Sequence, residues 1–96
     1  MSEALQIDGG QALGYVEQQR GYVVFASSER HLAIGQIINI TMNRVGNYPV
    51  KVISKTNAAD FIEHRECMRR LGYEPGPGWD RRTDDLFTYW RAVGVD

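Results

Sequence analysis

The sequence predicts an α+β domain in which one helix packs on a small, curved antiparallel sheet, or open barrel, of about five strands. Several short stretches alternate apolar and polar residues, which is typical of half-buried strands. One stretch places apolar residues at helical spacing between clear start and stop signals. The chain has 96 residues, which is the size of one ordinary domain and leaves no room for two.

The first two predicted strands form a hairpin. Residues 13–18 alternate along the chain, and Arg20 with Gly21 provides a tight turn. Residues 22–26 follow, and they are apolar on both faces and rich in branched and aromatic side chains. That composition predicts a central strand of the sheet that is covered on both sides.

Two further strands are predicted before the helix. Residues 36–43 alternate so that one side is expected to face the core and the other to be partly wet. A turn is expected at residues 45–47, and a fourth strand at 49–54. Pro49 has no N–H to donate, so it is expected to start that strand or to lie at an edge. The side chains expected to face inward from these two strands are Ile38, Ile40, Met42, Val50 and Val52, and Lys51 is expected to face outward.

The helix is predicted at about residues 58–71. Asn57 is a good N-cap, and Asp60 places a carboxylate in the first turn, where the helix dipole favours it. Gly72 supplies the left-handed stop, and Tyr73 is expected to fold back on the last turn. The apolar stripe that docks on the sheet is expected to comprise Phe61, Ile62, Met68 and Leu71.

Residues 86–93 favour a fifth strand because they are rich in aromatic and β-branched side chains. A short helix is the alternative, with Thr83 as cap and Gly94 as stop. The strand is preferred because it would return to the sheet and cover an open edge. Residues 32–38 resemble the turn that enters a strand in SH3-like and related small barrels, and this resemblance implies an open SH3-like barrel.

Composition and organisation indicate a single domain at residues 12–96, preceded by a flexible arm at residues 1–11. The arm has no basic residue and no apolar core, so no signal peptide is expected. No apolar run approaches the roughly 20 residues that cross a bilayer. The one cysteine, Cys67, rules out an internal disulfide framework and suits a reducing compartment, so a cytoplasmic protein is expected.

The charge balance argues against a protein that binds nucleic acid by bulk charge alone. The net charge is −1, from eleven basic and twelve acidic residues. Residues 1–50 contain three arginines as their only basic side chains, whereas residues 51–96 contain eight basic residues among many acidic ones. Such mixed charge is typical of a solvated helix face and loops.

His64 and Cys67 lie three residues apart on the predicted helix, one turn after Asp60. With His31 as a distant fourth ligand they offer a metal site, and as a thiolate–imidazole pair they offer nucleophilic catalysis. A structural interpretation is favoured. Cys67 is expected to be a small buried group and His64 to lie on the solvated face between Glu63 and Arg65. No second pair of ligands lies close by, so neither a metal nor a cofactor is expected.

The segment at residues 73–82 is the predicted partner-binding loop. Its prolines stiffen it, and it presents aromatic and arginine side chains, which dominate the energetics of interfaces. The partner-binding residues are expected to be Tyr73, Trp79, Arg81 and Arg82. The alternative is structural, with Trp79 covering the core and the arginines paired with Asp80, Asp84 and Asp85.

The sequence therefore predicts a non-catalytic binding or regulatory module that contacts another protein, such as a bacterial or phage accessory factor or inhibitor. Two alternatives stay open at this point. One is a small-barrel nucleic-acid-binding protein that uses Trp79, Arg81, Arg82 and strand-face residues such as Lys51. The other is a small enzyme or metal-binding domain that uses His31, His64 and Cys67.

Overall fold

A computed structural model describes residues 9–42, 45–73 and 86–95. Along the chain the elements are α1 (Gly9–Arg20), β1 (Val23–Ser27), β2 (Ile37–Met42), β3 (Val45–Thr56), α2 (Ala58–Arg70) and β4 (Thr88–Gly94). The strands form one antiparallel sheet in the order β1-β4-β3-β2. The α+β prediction with a curved, open sheet is confirmed. The described residues form four strands and two helices, whereas the sequence predicts about five strands and one helix.

The first predicted strand is a helix. Residues 13–18 lie within α1, where Ala12, Leu13 and Val16 are fully buried at helical spacing. Gly21 ends this helix with a positive φ of 87°, and its N–H donates to the Glu17 carbonyl at 2.7 Å. The turn predicted at Gly21 therefore exists, but it joins a helix to a strand. The predicted first hairpin is absent from the described residues.

β1 is an edge strand, so its predicted central place in the sheet is wrong. The prediction that it is covered on both sides is confirmed at its start. Val23 and Val24 are neighbours that point to opposite faces, and both are buried. Val23 joins a core cluster with α1, whereas Val24 packs with Phe61 of α2 and Tyr89 of β4.

The hairpin of β2 and β3 follows the predicted alternation. Ile38 and Ile40 pack against the core, Val50 and Val52 are fully buried, and Lys51 is exposed. The turn predicted at 45–47 is wrong, because β3 already begins at Val45.

Pro49 neither starts its strand nor lies at an edge of the sheet, which corrects a second detail of the hairpin. Its carbonyl accepts from the Val95 N–H at 3.0 Å, and Val95 lies just beyond the end of β4. Within a strand the N and the carbonyl of one residue point to the same side, so the missing donor of Pro49 faces the place where β4 ends. No ladder bond of β4 is lost there, and the strand tolerates the proline.

α2 forms where the capping signals predict it. The Asn57 side chain accepts from the Asp60 N–H at 3.0 Å, as an N-cap does. Gly72 has a φ of 103°, and the N–H groups of Gly72 and Tyr73 donate to the carbonyls of Arg69 and Met68, which is the Schellman pattern.

The apolar stripe predicted for this helix needs one correction. Phe61 and Met68 are buried and Leu71 packs partly against the core, as predicted. Ile62, in contrast, is 40% exposed. It follows Phe61 directly, so it points about 100° away from it around the helix and falls outside the docked face.

The prediction of a strand near the C-terminus is confirmed, because Thr88–Gly94 forms β4. This strand lies between β1 and β3, so it closes the gap between them and does not cover an outer edge. Ala92 is fully buried and pairs with Val23 on one side and Val52 on the other. The alternation of β4 separates the core that faces α1 from a second cluster around Phe61 and Tyr89.

Candidate protein-binding surface

Three of the four side chains predicted to meet a partner lie outside the described residues, namely Trp79, Arg81 and Arg82. The fourth, Tyr73, has 5% of its surface exposed and belongs to the core cluster of α1 and α2. Its backbone N–H closes the last turn of α2. The role of these four residues in binding stays a prediction.

His64 and Cys67 both lie in the interior. Cys67 is buried, as predicted, and its thiol contacts the Gln19 side-chain oxygen at 3.4 Å. The prediction that His64 lies on the solvated face is wrong, because it is 1% exposed and its ring stacks 6.4 Å from that of Phe61. The spacing of Phe61, His64 and Met68 at i, i+3 and i+7 is the signal that would have placed it inside.

The environment of His64 favours a neutral ring. Burial is the largest influence and, with the charge of Arg20, lowers the pKa of the imidazole to about 3 against the opposing effect of Asp60. Its Nδ1 atom finds no hydrogen-bond partner within the described residues. Across these same residues no group of three histidine, cysteine, aspartate or glutamate side chains is arranged to hold a metal ion.

A cluster of charges around the buried Asp60 is the feature that the sequence does not reveal. Asp60 Oδ1 accepts from Arg20 Nη2 at 2.7 Å, and Oδ2 accepts from Arg91 Nε and from Thr56 Oγ1, each at 2.8 Å. The ring of Tyr22 lies under both guanidinium groups, 4.9 Å from Arg20 and 4.4 Å from Arg91. One carboxylate thereby ties α1 and β4 to the start of α2.

The charge state of Asp60 follows from this arrangement. Burial raises its pKa, but hydrogen bonds from Arg91, Thr56 and Arg20 outweigh that effect and hold the pKa below its ordinary value. Asp60 is therefore ionised at neutral pH and fully engaged inside the domain. It serves to hold α2 over the β1 edge, and its acceptor atoms are not presented to solvent.

The opposite edge of the sheet, at β2, has no strand partner among residues 9–42, 45–73 and 86–95. The Val52 N–H donates to the Gln36 carbonyl at 2.9 Å. Since antiparallel ladders alternate, the backbone groups of Ile38 also face β3. The N–H and C=O groups of Ile37 and Asn39 therefore point to the open edge.

Large apolar side chains accompany this edge. Ile34, in the turn before β2, is 63% exposed, and Ile37, at the start of β2, is 59% exposed. Ile37 pairs with Lys51, and Lys51 pairs with Val93 on the far side of β3. The three residues form a row across three strands on one face of the sheet. We refer to the β2 edge with Ile34 and this row as the β2 surface.

The β2 surface differs from the usual form of an exposed edge. Residues 37–42 include no charged residue and no proline, the two devices that most often protect an edge strand from pairing. Its irregularity lies at its far end, where the register with β3 shifts between Ile40 and Met42. The segment from Ile37 to Ile40 is thus a regular strand with one side unpaired by the described residues.

Comparison of the chain with protein-family models, with curated proteins and with solved structures finds no match. Neither described helix has the length and the apolar composition that crossing a bilayer demands.

Proposed function

We propose that this chain is a non-catalytic module that binds another protein, and that the partner adds an extended segment to the open edge of β2. The observation that carries this proposal is that no described residue pairs with the outer edge of β2, beside which two isoleucines are each more than half exposed. Addition of a strand supplies main-chain hydrogen bonds for affinity, and neighbouring side chains supply specificity. The free, buried Cys67 supports a reducing, cytoplasmic setting.

The positions of the titratable side chains support a non-catalytic role. His64 and Cys67 are buried against α1 and Phe61, so a substrate in solvent does not reach them. Asp60 uses both carboxylate oxygens within the domain. A catalytic acid or base needs direct reach to the substrate, and these groups lack it in this arrangement.

A protein partner is favoured over nucleic acid by the chemistry of the β2 surface. Single-stranded nucleic acid is held by exposed aromatic rings on which bases stack. The large exposed side chains of this surface are the isoleucines Ile34 and Ile37, and the exposed aromatic residue among the described ones, Tyr15, belongs to α1. Isoleucine side chains match the apolar residues of a protein strand.

Two variants test the proposal. I37K places a charge on the edge strand, and N39P removes an outward-facing N–H while leaving the bonds from Ile38 to β3 in place. Each variant serves as bait for affinity purification from an extract of the source organism, beside the wild type and a control, I62K. Ile62 is exposed on α2, so I62K adds the same charge away from the sheet edge.

We expect a protein that the wild type and I62K recover and that I37K and N39P lose, while circular dichroism shows all four folded. Recovery of the same protein by all four baits would mean that binding occurs elsewhere. The loop at residues 73–82 would then be the surface to change, through Trp79→Ala and the pair Arg81→Ala and Arg82→Ala, each expected to cost about 2 kcal/mol of binding as hot spots do. Recovery of nucleic acid that salt abolishes would favour the nucleic-acid alternative.

A further inference from the structure

Resting on the proposed function, we infer that the segment bound by the β2 surface is acidic, with carboxylates on the side chains that face Lys51. The row Ile37–Lys51–Val93 places one ammonium group between two apolar side chains on an open face. A strand added beside β2 extends this row by one position. A carboxylate at that position or at a diagonal neighbour is the complement of Lys51.

The charge of the surrounding hairpin supports this assignment. Residues 31–56, which span β2 and β3, contain no aspartate or glutamate, although the whole chain contains twelve acidic residues. The same stretch contains Lys51, Lys55 and Arg44, and the last of these lies outside the described residues. The charged side chains of the hairpin are thus all basic. Their positive electrostatic field favours encounter with a negatively charged segment.

Two carboxylates from other elements approach this hairpin. Asp60 accepts from Thr56 at the end of β3 and is itself paired with Arg20 and Arg91. The other carboxylate is that of Glu17. It accepts from the Tyr48 hydroxyl at 3.5 Å and from the Gly94 N–H at 3.0 Å. Tyr48 packs against the core that α1 covers, so Glu17 acts on the opposite face of β3 from Lys51. It does not neutralise the row of Ile37 and Lys51.

Distances in a sheet allow the contact. Neighbouring strands lie about 4.8 Å apart, so an added strand lies about 10 Å from the backbone of Lys51 across Ile37. A lysine side chain and a glutamate side chain together span this separation. A second copy of the chain is a poor occupant, because antiparallel pairing of two β2 strands would bring two basic hairpins together.

The test uses two synthetic ten-residue peptides as probes, one that alternates valine with glutamate and one that alternates valine with lysine. Binding to the full chain is measured by fluorescence anisotropy at low and at high salt. We expect the glutamate peptide to bind at least about fivefold more tightly, with a preference that salt reduces. K51E should reverse the preference between the two peptides.

K55E is the matched control, because it makes the same change in net charge at a different place. Lys55 pairs with Trp90 and lies 5.9 Å from the centre of its ring, beyond the register shift that separates it from Lys51. K55E should keep the preference for the glutamate peptide. An equal effect of K51E and K55E would overturn the inference, because it would show bulk attraction and no contact at the row.

The outcomes separate the inference from the proposed function. If both peptides bind equally and N39P abolishes both, strand addition stands and the acidic preference is wrong. If neither peptide binds, the inference is wrong, and the affinity purification decides the proposed function alone. Displacement of the glutamate peptide by an oligonucleotide, or dimerisation in sedimentation that I37K abolishes, would identify nucleic acid or a second copy as the occupant and would overturn the inference.

Discussion

The two outer strands of the sheet, β1 and β2, differ in how far the rest of the domain covers them. β1 is buried on both faces at Val23 and Val24, and α2 packs against it through Phe61. β2, at the other end, keeps Ile37 exposed and pairs only with β3 among the described residues. Beside β1, the buried Asp60 of α2 is paired with Arg20 and Arg91, whereas residues 37–42 of β2 include neither charge nor proline. This difference in burial is the reason that the proposed binding site lies at β2 and not at β1.

The strongest test of this difference between the two edges is to place one lysine on each outer strand and to compare the losses of stability. V24K puts an ammonium group in a site that is 2% exposed, and a buried unpaired charge there is expected to cost more than about 5 kcal/mol of unfolding free energy. I37K is expected to change stability by less than about 0.5 kcal/mol. Urea unfolding measures both, and similar losses would show that β2 is also covered.

Removal of the side chain that covers β1 is expected to cause the next largest loss of unfolding free energy. Phe61 is fully buried, and its ring centre lies 5.4 Å from that of Tyr89. F61A is expected to cost about 3–5 kcal/mol, since the lost packing leaves a cavity. I62A, at the exposed neighbouring position, is the control and should cost less than about 1 kcal/mol. A small loss in F61A would show that α2 docks through another face.

Disruption of the ionic cluster at Asp60 is expected to cause a smaller loss of unfolding free energy. D60N keeps the size of the side chain but leaves Arg20 and Arg91 without their charged acceptor, which should cost about 1–3 kcal/mol at pH 7. The pKa of Asp60 is lowered by folding, so its contribution is present above the ordinary aspartate range and is lost as the pH falls through the lowered value. The difference from wild type should therefore shrink in strong acid. E63Q, on the exposed side of α2, is expected to be neutral.

The last predicted effect is a pH dependence of stability from His64, which develops only below pH 6.5. Folding lowers the pKa of His64 from 6.5 to about 3, so the unfolded chain takes up a proton first as the pH falls. Stability should be complete above pH 6.5 and decline below it, by up to about 1.4 kcal/mol per pH unit from this group. H64L should remove that slope in urea titrations between pH 7 and 4.5, whereas H31Q, at an exposed position, should keep it. An unchanged slope in H64L would mean that the imidazole is hydrated.

Local signals in the sequence predict α2 well, because its caps act within a few residues. Asn57 forms the hydrogen bond of an N-cap, and Gly72 forms the hydrogen bond that closes the last turn, as these residue types favour. α1 is harder to predict, since Leu13 with Tyr15 suits a strand and Leu13 with Val16 suits a helix over so short a run. Gly14 also weakens a helix. The order of the strands and the cluster at Asp60 depend on residues far apart in the chain, and no local pattern records that Arg20 and Arg91 meet.

The same limit applies to the β2 surface. Alternation in β2 predicts which side chains face the core, but it does not reveal whether the outer edge finds another strand. That depends on β4, which enters between β1 and β3 and leaves β2 at the margin. The prediction of binding by residues 73–82 rests on residue type, which is a signal of interface chemistry and carries no information on position.

The central place of β4 has a consequence for synthesis of the chain on the ribosome. β1 emerges before β2, β3 and α2, yet its strand partner Thr88–Gly94 follows all of these elements in the chain. The β2–β3 hairpin can pair as soon as it emerges, because its two strands are neighbours in the chain. β1 cannot pair, and Val24 cannot pack against Tyr89, until β4 has been synthesised. Until then β1 lacks its strand partner, and unpaired apolar strands of this kind make folding intermediates prone to aggregate.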